Sequence, residues 1–235
     1  MTIALQAKGL TKEFKGFIAV NNVDLSVKKG TIHALIGPNG AGKTTCFNLL
    51  TKFLQPTRGQ ITYEGRDITR MKPSEIARLG MVRSFQISAI FPDLTVLQNV
   101  RVALQRARGE SYDFWRSDRV LSKFDDQARE YIAEVGLSDL TDERAASLPY
   151  GRKRALEIAT TLALSPDMLL LDEPMAGMGR EDVERISQLI RRIAENRTVL
   201  MVEHNLSVVA ELSDHITVLA RGEILAEGTY EQISK

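Results

Sequence analysis

The chain has 235 residues, and its 31 basic and 30 acidic side chains leave a net charge of +1. This length suits one domain, or one domain with an insertion, and can bury a core without disulfides or a structural metal. The balanced charge disfavours binding to nucleic acid through the overall field. One cysteine excludes a disulfide framework and a cysteine-based zinc site. No apolar run approaches the roughly 20 residues of a spanning helix. We therefore expect a soluble protein of a reducing compartment.

The first third of the chain predicts strands on either side of a glycine-rich loop and a helix. Residues 19–27 mix β-branched and polar side chains, and residues 32–36 form a short apolar run that stops at a glycine. Apolar residues recur at helical spacing within 44–54. Residues 60–63 and 67–68 are then expected to form short strands or a turn.

The middle of the chain predicts helices. Thr95 and Gln98 have the spacing of a capping box. The stretch 106–144 is rich in charge and contains no proline, which favours helical structure. We interpret this region as a helical insertion into an α/β domain.

The last third returns to alternating strands and helices. Residues 168–171 and 198–202 are continuous apolar runs, typical of strands buried on both faces of a parallel sheet. Residues 183–193 have helical spacing. A closing hairpin is predicted from 216–219 and 223–226.

The segment from Gly37 to Thr44 fits the phosphate-binding pattern G-x-x-x-x-G-K-[ST]. Its glycines allow the loop to close with its N–H groups near phosphates, and the following helix directs its positive end at the same anion. Lys43 would contact the β- and γ-phosphates, and the Thr44 hydroxyl would ligate Mg²⁺. A simple glycine turn before a helix is strongly disfavoured, because the motif stands between an apolar run and an amphipathic helix.

A phosphate loop needs a carboxylate near the Mg²⁺ ion, and Asp172 supplies it at the end of the 168–171 run. Glu173 follows directly and could orient or deprotonate a water molecule. The loop alone does not distinguish that role of Glu173 from an exposed surface glutamate.

Several further motifs stand in an order that resembles the ATP-binding cassette (ABC) ATPases over nearly the whole chain. They are an aromatic residue at Phe14, a Q-loop glutamine at Gln86, a signature-like segment at 148–152, a Walker B segment at 168–174, a D-loop at 175–179 and a switch histidine at His204.

The resemblance implies an α/β fold forming a single ABC ATPase domain over 1–235. A P-loop NTPase (RecA-like) core with an N-terminal antiparallel β subdomain would comprise residues 1–86 and 155–235. An inserted α-helical subdomain would comprise residues 87–154, with the signature near its end.

The resemblance also implies roles for individual residues. Glu173 becomes the general base, with His204 and Gln86 as further catalytic residues, and Thr44, Gln86 and Asp172 surround Mg²⁺. Phe14 would stack on adenine, although core packing is a serious competitor and Phe17 is the fallback. The implied ATP-binding residues are Phe14, Val20, Asn39, Gly40, Ala41, Gly42, Lys43, Thr44, Thr45, Tyr150 and Gly151.

Members of this family pair two cassettes head to tail, so that each ATP lies between one Walker loop and the partner's signature helix. A helix beginning near Gly151 would direct its positive end at a phosphate from outside. The signature departs from the family pattern at Pro149, Tyr150 and Arg152, and Gly179 replaces the usual D-loop aspartate. These departures bear on the rate of hydrolysis and on coupling between the two sites.

The Tyr-Gly signature and the Arg-Ser-Phe-Gln segment are most similar to ATPases of bacterial importers for branched-chain and other hydrophobic amino acids. The expected partners are a second cassette, transmembrane permease subunits and, indirectly, a solute-binding protein, but no nucleic acid. The expected location is the cytoplasmic face of the inner membrane. The open alternatives are an ABC system for urea, lipopolysaccharide or a drug, a soluble cassette acting on ribosomes or DNA, and a regulator that binds nucleotide without turnover.

Overall fold

The computed structural model describes residues 2–84, 90–107 and 123–234. They form two compact units. The first comprises Met1–Arg83, Asp167–Ala176 and Ile190–Lys235, and the second comprises Ser84–Pro166 and Gly177–Leu189. Gln86 lies outside the described residues. The division of the chain at 86 and 155 stays a prediction.

The elements alternate as an α/β chain. In the described residues the strands are β1 (Ile3–Phe14), β2 (Phe17–Lys28), β3 (Ile32–Ile36), β4 (Arg58–Tyr63), β5 (Arg66–Asp67), β6 (Met81–Arg83), β7 (Met168–Asp172), β8 (Thr198–Val202), β9 (His215–Ala220) and β10 (Glu223–Gly228). The helices are α1 (Lys43–Leu50), α2 (Pro73–Arg78), α3 (Val96–Ala107), α4 (Asp125–Glu134), α5 (Tyr150–Leu162), α6 (Arg180–Ala194), α7 (Leu206–Leu212) and α8 (Tyr230–Ile233).

An antiparallel sheet with the strand order β2-β1-β4-β5 confirms the predicted N-terminal β subdomain. Strand β1 was not predicted from the sequence. Its pairing with β2 shifts register four times, between Ile3 and Leu5, between Ala7 and Leu10, and twice more before the hairpin tip. These irregularities break the simple alternation of apolar and polar residues by which a strand is recognised.

A second sheet has the strand order β10-β9-β3-β8-β7-β6. The five strands from β9 to β6 in this order are parallel to their neighbours, and only the β9–β10 hairpin is antiparallel. Strands β3 and β8 are buried along their whole length, and β7 is buried as far as Asp172. Burial on both faces explains why these segments are continuous apolar runs.

Helix α1 anchors the core of the first unit. Cys46, Phe47, Leu49 and Leu50 are fully buried among apolar side chains of both sheets. Burial raises the pKa of the Cys46 thiol to about 12, so this cysteine is an inert core residue, as expected. The helix ends at Leu50, before the predicted 54, because Lys52 adopts a left-handed backbone with φ of 63°.

The second unit is built from α3, α4 and α5, which contact one another pairwise. The predicted capping box before α3 is confirmed: the Thr95 N–H donates to Gln98 Oε1 (2.8 Å), and the Gln98 N–H donates to Thr95 Oγ1 (3.2 Å). Apolar side chains such as Val100, Phe124 and Leu156 are fully buried here. Among the described residues, no helix is both long enough and apolar enough to cross a bilayer.

Candidate functional site

Three neighbouring parallel strands end at the same edge of the six-stranded sheet, and each is followed by predicted site residues. Strand β3 ends at Ile36 before the glycine-rich loop, β7 ends at Asp172 before Glu173, and β8 ends at Val202 two residues before His204. The crevice outside the carboxyl ends of strands is where open α/β sheets bind ligands. The sheet order β3-β8-β7 therefore brings motifs that are distant in sequence to one edge.

Two glycines of the loop are required by close backbone approaches. At Gly37, which has φ of 148°, an added Cβ would lie 2.1 Å from the carbonyl oxygen of Leu219. At Gly42, which has φ of 96°, it would lie 2.5 Å from the carbonyl oxygen of Ala19. Any side chain at either position would displace the backbone of a neighbouring segment. The loop is therefore held in a defined shape against β2 and β9.

The Lys43 side chain folds back into this loop. Its Nζ donates to the carbonyl oxygens of Gly37 (2.6 Å) and Pro38 (3.0 Å), and the residue is buried. Lys43 is also the first residue of α1, whose amino-terminal N–H groups face the loop. Positive charge and helix dipole thus coincide at the loop, which is the arrangement that stabilises a bound phosphate.

The other residues predicted to bind the nucleotide differ in accessibility. Asn39, Gly40 and Thr44 are exposed, and Thr45 is half-buried. Ala41 and Val20 are buried in the apolar core. Val20 lies behind the loop, where its Cγ2 would be 3.6 Å from a Cβ at Gly42. In this conformation Val20 supports the loop and offers no surface to a ligand.

Asp172 is held by an arginine on the neighbouring strand β6. Arg83 Nη2 is 2.6 Å from Asp172 Oδ2, and Arg83 Nη1 donates to Asn48 Oδ1 on α1 at the same distance. The guanidinium also lies over the rings of Phe47 (5.0 Å) and Phe53 (5.2 Å). This arginine therefore holds the carboxylate in place at the end of β7.

Glu173 directly follows β7 and His204 lies two residues after β8, and their side chains face each other. Glu173 Oε1 is 3.9 Å from His204 Nδ1, and both side chains are largely exposed. Glu173 has a left-handed backbone with φ of 43°, which is uncommon for a glutamate. Its N–H donates to the carbonyl oxygen of Val202 (2.9 Å), so the turn after β7 is tied to the end of β8. The structure therefore places these two predicted catalytic side chains close together.

Phe14 and Phe17 are opposite each other at the tip of the β1–β2 hairpin. Phe14 is 41% exposed and Phe17 is 69% exposed, and Lys12 Nζ lies 5.1 Å from the centre of the Phe14 ring. This exposure excludes the core-packing alternative for Phe14. Both aromatic side chains are thus exposed at the hairpin tip, where a ring can stack on a base.

The signature-like segment lies in the second unit, where α5 begins at Tyr150. Tyr150 is 46% exposed. An added Cβ at Gly151 would lie 2.3 Å from the carboxyl carbon of Asp182, so glycine is required for the close approach of α5 to that side chain. Pro149, one of the departures from the family signature, occupies the N-cap position and provides no side-chain cap, because proline has no hydroxyl.

Sequence reasoning assigned no role to Arg83 or to Glu203, although the structure places both at this edge of the sheet. Each is a charged residue next to an apolar strand run, at the end of β6 and just after β8. Glu203 is fully buried. A charged residue directly beside a buried apolar strand could have been recognised in the sequence as a residue with a specific partner, because buried charges require partners.

The Arg83 contacts lead to a prediction about folding stability. Arg83→Met keeps an apolar stem but removes the hydrogen bonds to Asp172 and Asn48. Charge-assisted hydrogen bonds of this kind contribute about 1.5–3 kcal/mol. We expect the temperature of thermal unfolding, measured by circular dichroism without nucleotide or metal, to fall by about 3 °C or more.

A matched control is Lys29→Met, which removes the Lys29–Glu64 pair of 3.2 Å, whose side chains are 57% and 37% exposed. Exposed pairs contribute little, so this variant should unfold close to the wild-type temperature. Equal unfolding temperatures for the two variants would contradict the role assigned to Arg83.

Comparison with solved structures defines the class of protein. An ATP-binding cassette from an ABC transporter, MJ1267 in its ADP conformation, superposes with a TM-score of 0.84 at 30% identity, covering 99% of this chain and 93% of that one. The chain thus has the fold of an ATP-binding cassette.

Sequence comparison gives the family. The family described as ABC transporter matches residues 20–176. The high-affinity branched-chain amino acid transport ATP-binding protein BraF of Pseudomonas aeruginosa is 40% identical over 97% of this chain and 92% of its own length. The corresponding protein LivG of Escherichia coli is 39% identical over the same shares. The chain belongs to the ABC transporter family of ATP-binding proteins, which confirms the resemblance found in the sequence.

Proposed function

We propose that this chain is the ATP-hydrolysing subunit of a bacterial ABC importer for branched-chain or other hydrophobic amino acids. The observation that carries the proposal is the identity of 39–40%, over 97% of the chain, to ATP-binding proteins of branched-chain amino acid transport. It is supported by a site that holds a phosphate loop, a Walker B carboxylate and a glutamate–histidine pair at one sheet edge.

The loop residues bind the triphosphate. Lys43 exchanges its two carbonyl contacts for phosphate oxygens, and the N–H groups at the start of α1 contribute further hydrogen bonds. Asn39 and Gly40 belong to the same loop, and Thr45 is the third residue of α1. At the other end of the nucleotide, the exposed ring of Phe14, or of Phe17 as the fallback, stacks on the adenine base.

Thr44 and Asp172 are the residues that would hold Mg²⁺. Their hydroxyl and carboxylate oxygens are the hard ligands that this ion prefers, so the donor set fits. Gln86 is proposed as a third contributor. Bound with the nucleotide, Mg²⁺ would neutralise charge on the β- and γ-phosphates.

Glu173 acts as the general base toward the attacking water. His204 positions Glu173 and contacts the γ-phosphate. The separation of 3.9 Å between Glu173 Oε1 and His204 Nδ1 is longer than a hydrogen bond but close enough to become one in the closed complex. Gln86 is proposed to sense Mg²⁺ and the attacking water.

A second cassette, identical or related, completes each site. Tyr150 and Gly151 at the start of α5 would meet the γ-phosphate bound by the partner's loop, with the helix dipole directed at the anion. Binding of ATP closes the pair and hydrolysis reopens it, which is a two-state element biased by phosphate contacts. The proposed location is the cytoplasmic face of the membrane, on the permease subunits.

Reconstitution in proteoliposomes tests the proposal. The chain is combined with the permease and binding protein encoded beside its own gene, and phosphate release is measured with binding protein loaded with leucine, isoleucine or valine. We expect amino-acid-dependent stimulation of ATP hydrolysis, together with uptake of the labelled amino acid. Stimulation by urea but not by these amino acids would contradict the proposed substrate while leaving the ATPase assignment intact.

A further inference from the structure

Glu203 is a fully buried acidic residue of the first unit. It directly follows β8, whose five residues are all buried, and its own exposure is 0%. A carboxylate in such a place is stable only when its oxygens are hydrogen-bonded. Nothing in the proposed chemistry uses this side chain, so its partners indicate what it does.

Backbone N–H groups from two separate turns donate to the Glu203 carboxylate. On one side, the Met175 N–H donates to Oε1 at 3.1 Å. On the other side, the N–H groups of His204 and Asn205 donate to Oε2 at 2.9 Å and 3.1 Å. One carboxylate therefore joins the turn after β7 to the turn after β8.

These two turns carry the side chains of the proposed chemistry. Glu173 lies two residues before Met175, and its own N–H is bonded to the carbonyl oxygen of Val202. The turn that bears Glu173 is thus attached to the β8 end at two points, the Val202 carbonyl and the Glu203 carboxylate. His204 is attached to the same carboxylate through its backbone.

We propose that Glu203 is a positioning residue that sets the placement of Glu173 relative to His204. It is fully buried and acts through the two backbones it connects, and its Oε2 also lies 4.0 Å from the side-chain Nδ1 of His204. This inference rests on the proposed ATPase function. Its physical basis is that a misplacement of about 1 Å at reacting groups can lower a rate by about 100-fold.

Two substitutions separate this role from simple support of the fold. Glu203→Asp is one methylene shorter, so it keeps the local contacts with His204 and Asn205, as aspartate does in an Asx turn, but it does not reach Met175. Glu203→Gln keeps the length but presents an NH₂ group to backbone donors on one side or the other. Each variant therefore breaks the connection between the turns in a different way.

A matched control is Thr217→Val in the same sheet. Thr217 is fully buried, its Oγ1 lies 2.8 Å from His33 Nε2, and it donates to Glu227 Oε1 at 2.7 Å. Its loss removes buried hydrogen bonds without touching either turn. We expect this variant to lower the unfolding temperature and to leave kcat unchanged.

The experiment measures phosphate release against ATP concentration, together with ATP affinity and thermal unfolding, for the wild type and these three variants. For both Glu203 variants we expect kcat to fall by about tenfold or more, while KM and ATP affinity stay within about twofold. In a His204→Ala background, Glu203→Asp should lower kcat by a much smaller factor, since both changes disturb the same placement of Glu173 relative to His204.

The outcomes separate the inference from the function on which it rests. A wild-type chain that does not hydrolyse ATP even when it is reconstituted with its second cassette and the permease contradicts the proposed function itself. A wild-type rate together with unchanged kcat in Glu203→Asp and Glu203→Gln overturns the positioning role alone. The positioning role is also overturned if the Glu203 variants change KM but not kcat. It is overturned as well if Glu203→Asp lowers kcat by the same factor in the His204→Ala background as in the wild type.

Discussion

Glu173→Gln is expected to abolish ATP turnover while leaving ATP binding intact. The amide keeps the size of the side chain and can still approach His204, now 3.9 Å from Glu173 Oε1, but it cannot accept a proton from water. Loss of a general base lowers rates by about 100- to 10,000-fold. We expect phosphate release to fall by this factor and an ATP-bound dimer to accumulate, observed by size-exclusion chromatography with ATP and Mg²⁺.

The control for this substitution is Glu195→Gln, at an exposed glutamate after α6. It removes the same charge from the same unit and should retain the wild-type rate. If Glu173→Gln also hydrolyses ATP at the wild-type rate, Glu173 is not the general base. Loss of ATP binding in that variant would instead indicate a damaged site.

Lys43→Ala is expected to weaken nucleotide binding by about 10- to 100-fold, because it removes charge-assisted hydrogen bonds to the phosphates. The change also deletes the two contacts of Nζ with the Gly37 and Pro38 carbonyls. Titration of the protein with a fluorescent ATP analogue measures the affinity, and thermal unfolding without nucleotide reports any damage to the empty loop.

Lys8→Ala is the matched control, since Lys8 is exposed on β1. It should bind nucleotide with wild-type affinity. An unchanged affinity in Lys43→Ala would contradict the phosphate-binding role of the loop, whatever its effect on stability.

Much of the parallel sheet could be predicted because its strands are buried on both faces. Strands β3 and β8 occupy the predicted 32–36 and 198–202, and the closing hairpin was also found. Strand β1 was missed because its bulges interrupt the alternating pattern. The end of α1 was placed too late because apolar residues continue to Leu54, beyond the left-handed turn at Lys52.

The site was predictable where its chemistry needs a fixed local spacing and unpredictable where it depends on contacts between strands. The loop from Gly37 to Thr44 satisfies its requirements within eight consecutive residues. Arg83 and Glu203 have roles only because β6, β7 and β8 are neighbours, which no local pattern reveals. Val20 is the opposite example. The family resemblance predicted that it binds the nucleotide, but it did not predict that Val20 is completely buried.

The left-handed backbone of Glu173 lowers the stability of the fold at the residue that we propose as the general base. A residue other than glycine pays about 1–3 kcal/mol for such a conformation, and glycine would adopt φ of 43° freely. Selection for stability alone would therefore replace this glutamate, at the loss of its carboxylate. Efforts to engineer a more heat-resistant form of the chain should leave position 173 unchanged, since the most obvious stabilising substitution there removes the carboxylate that we propose as the general base.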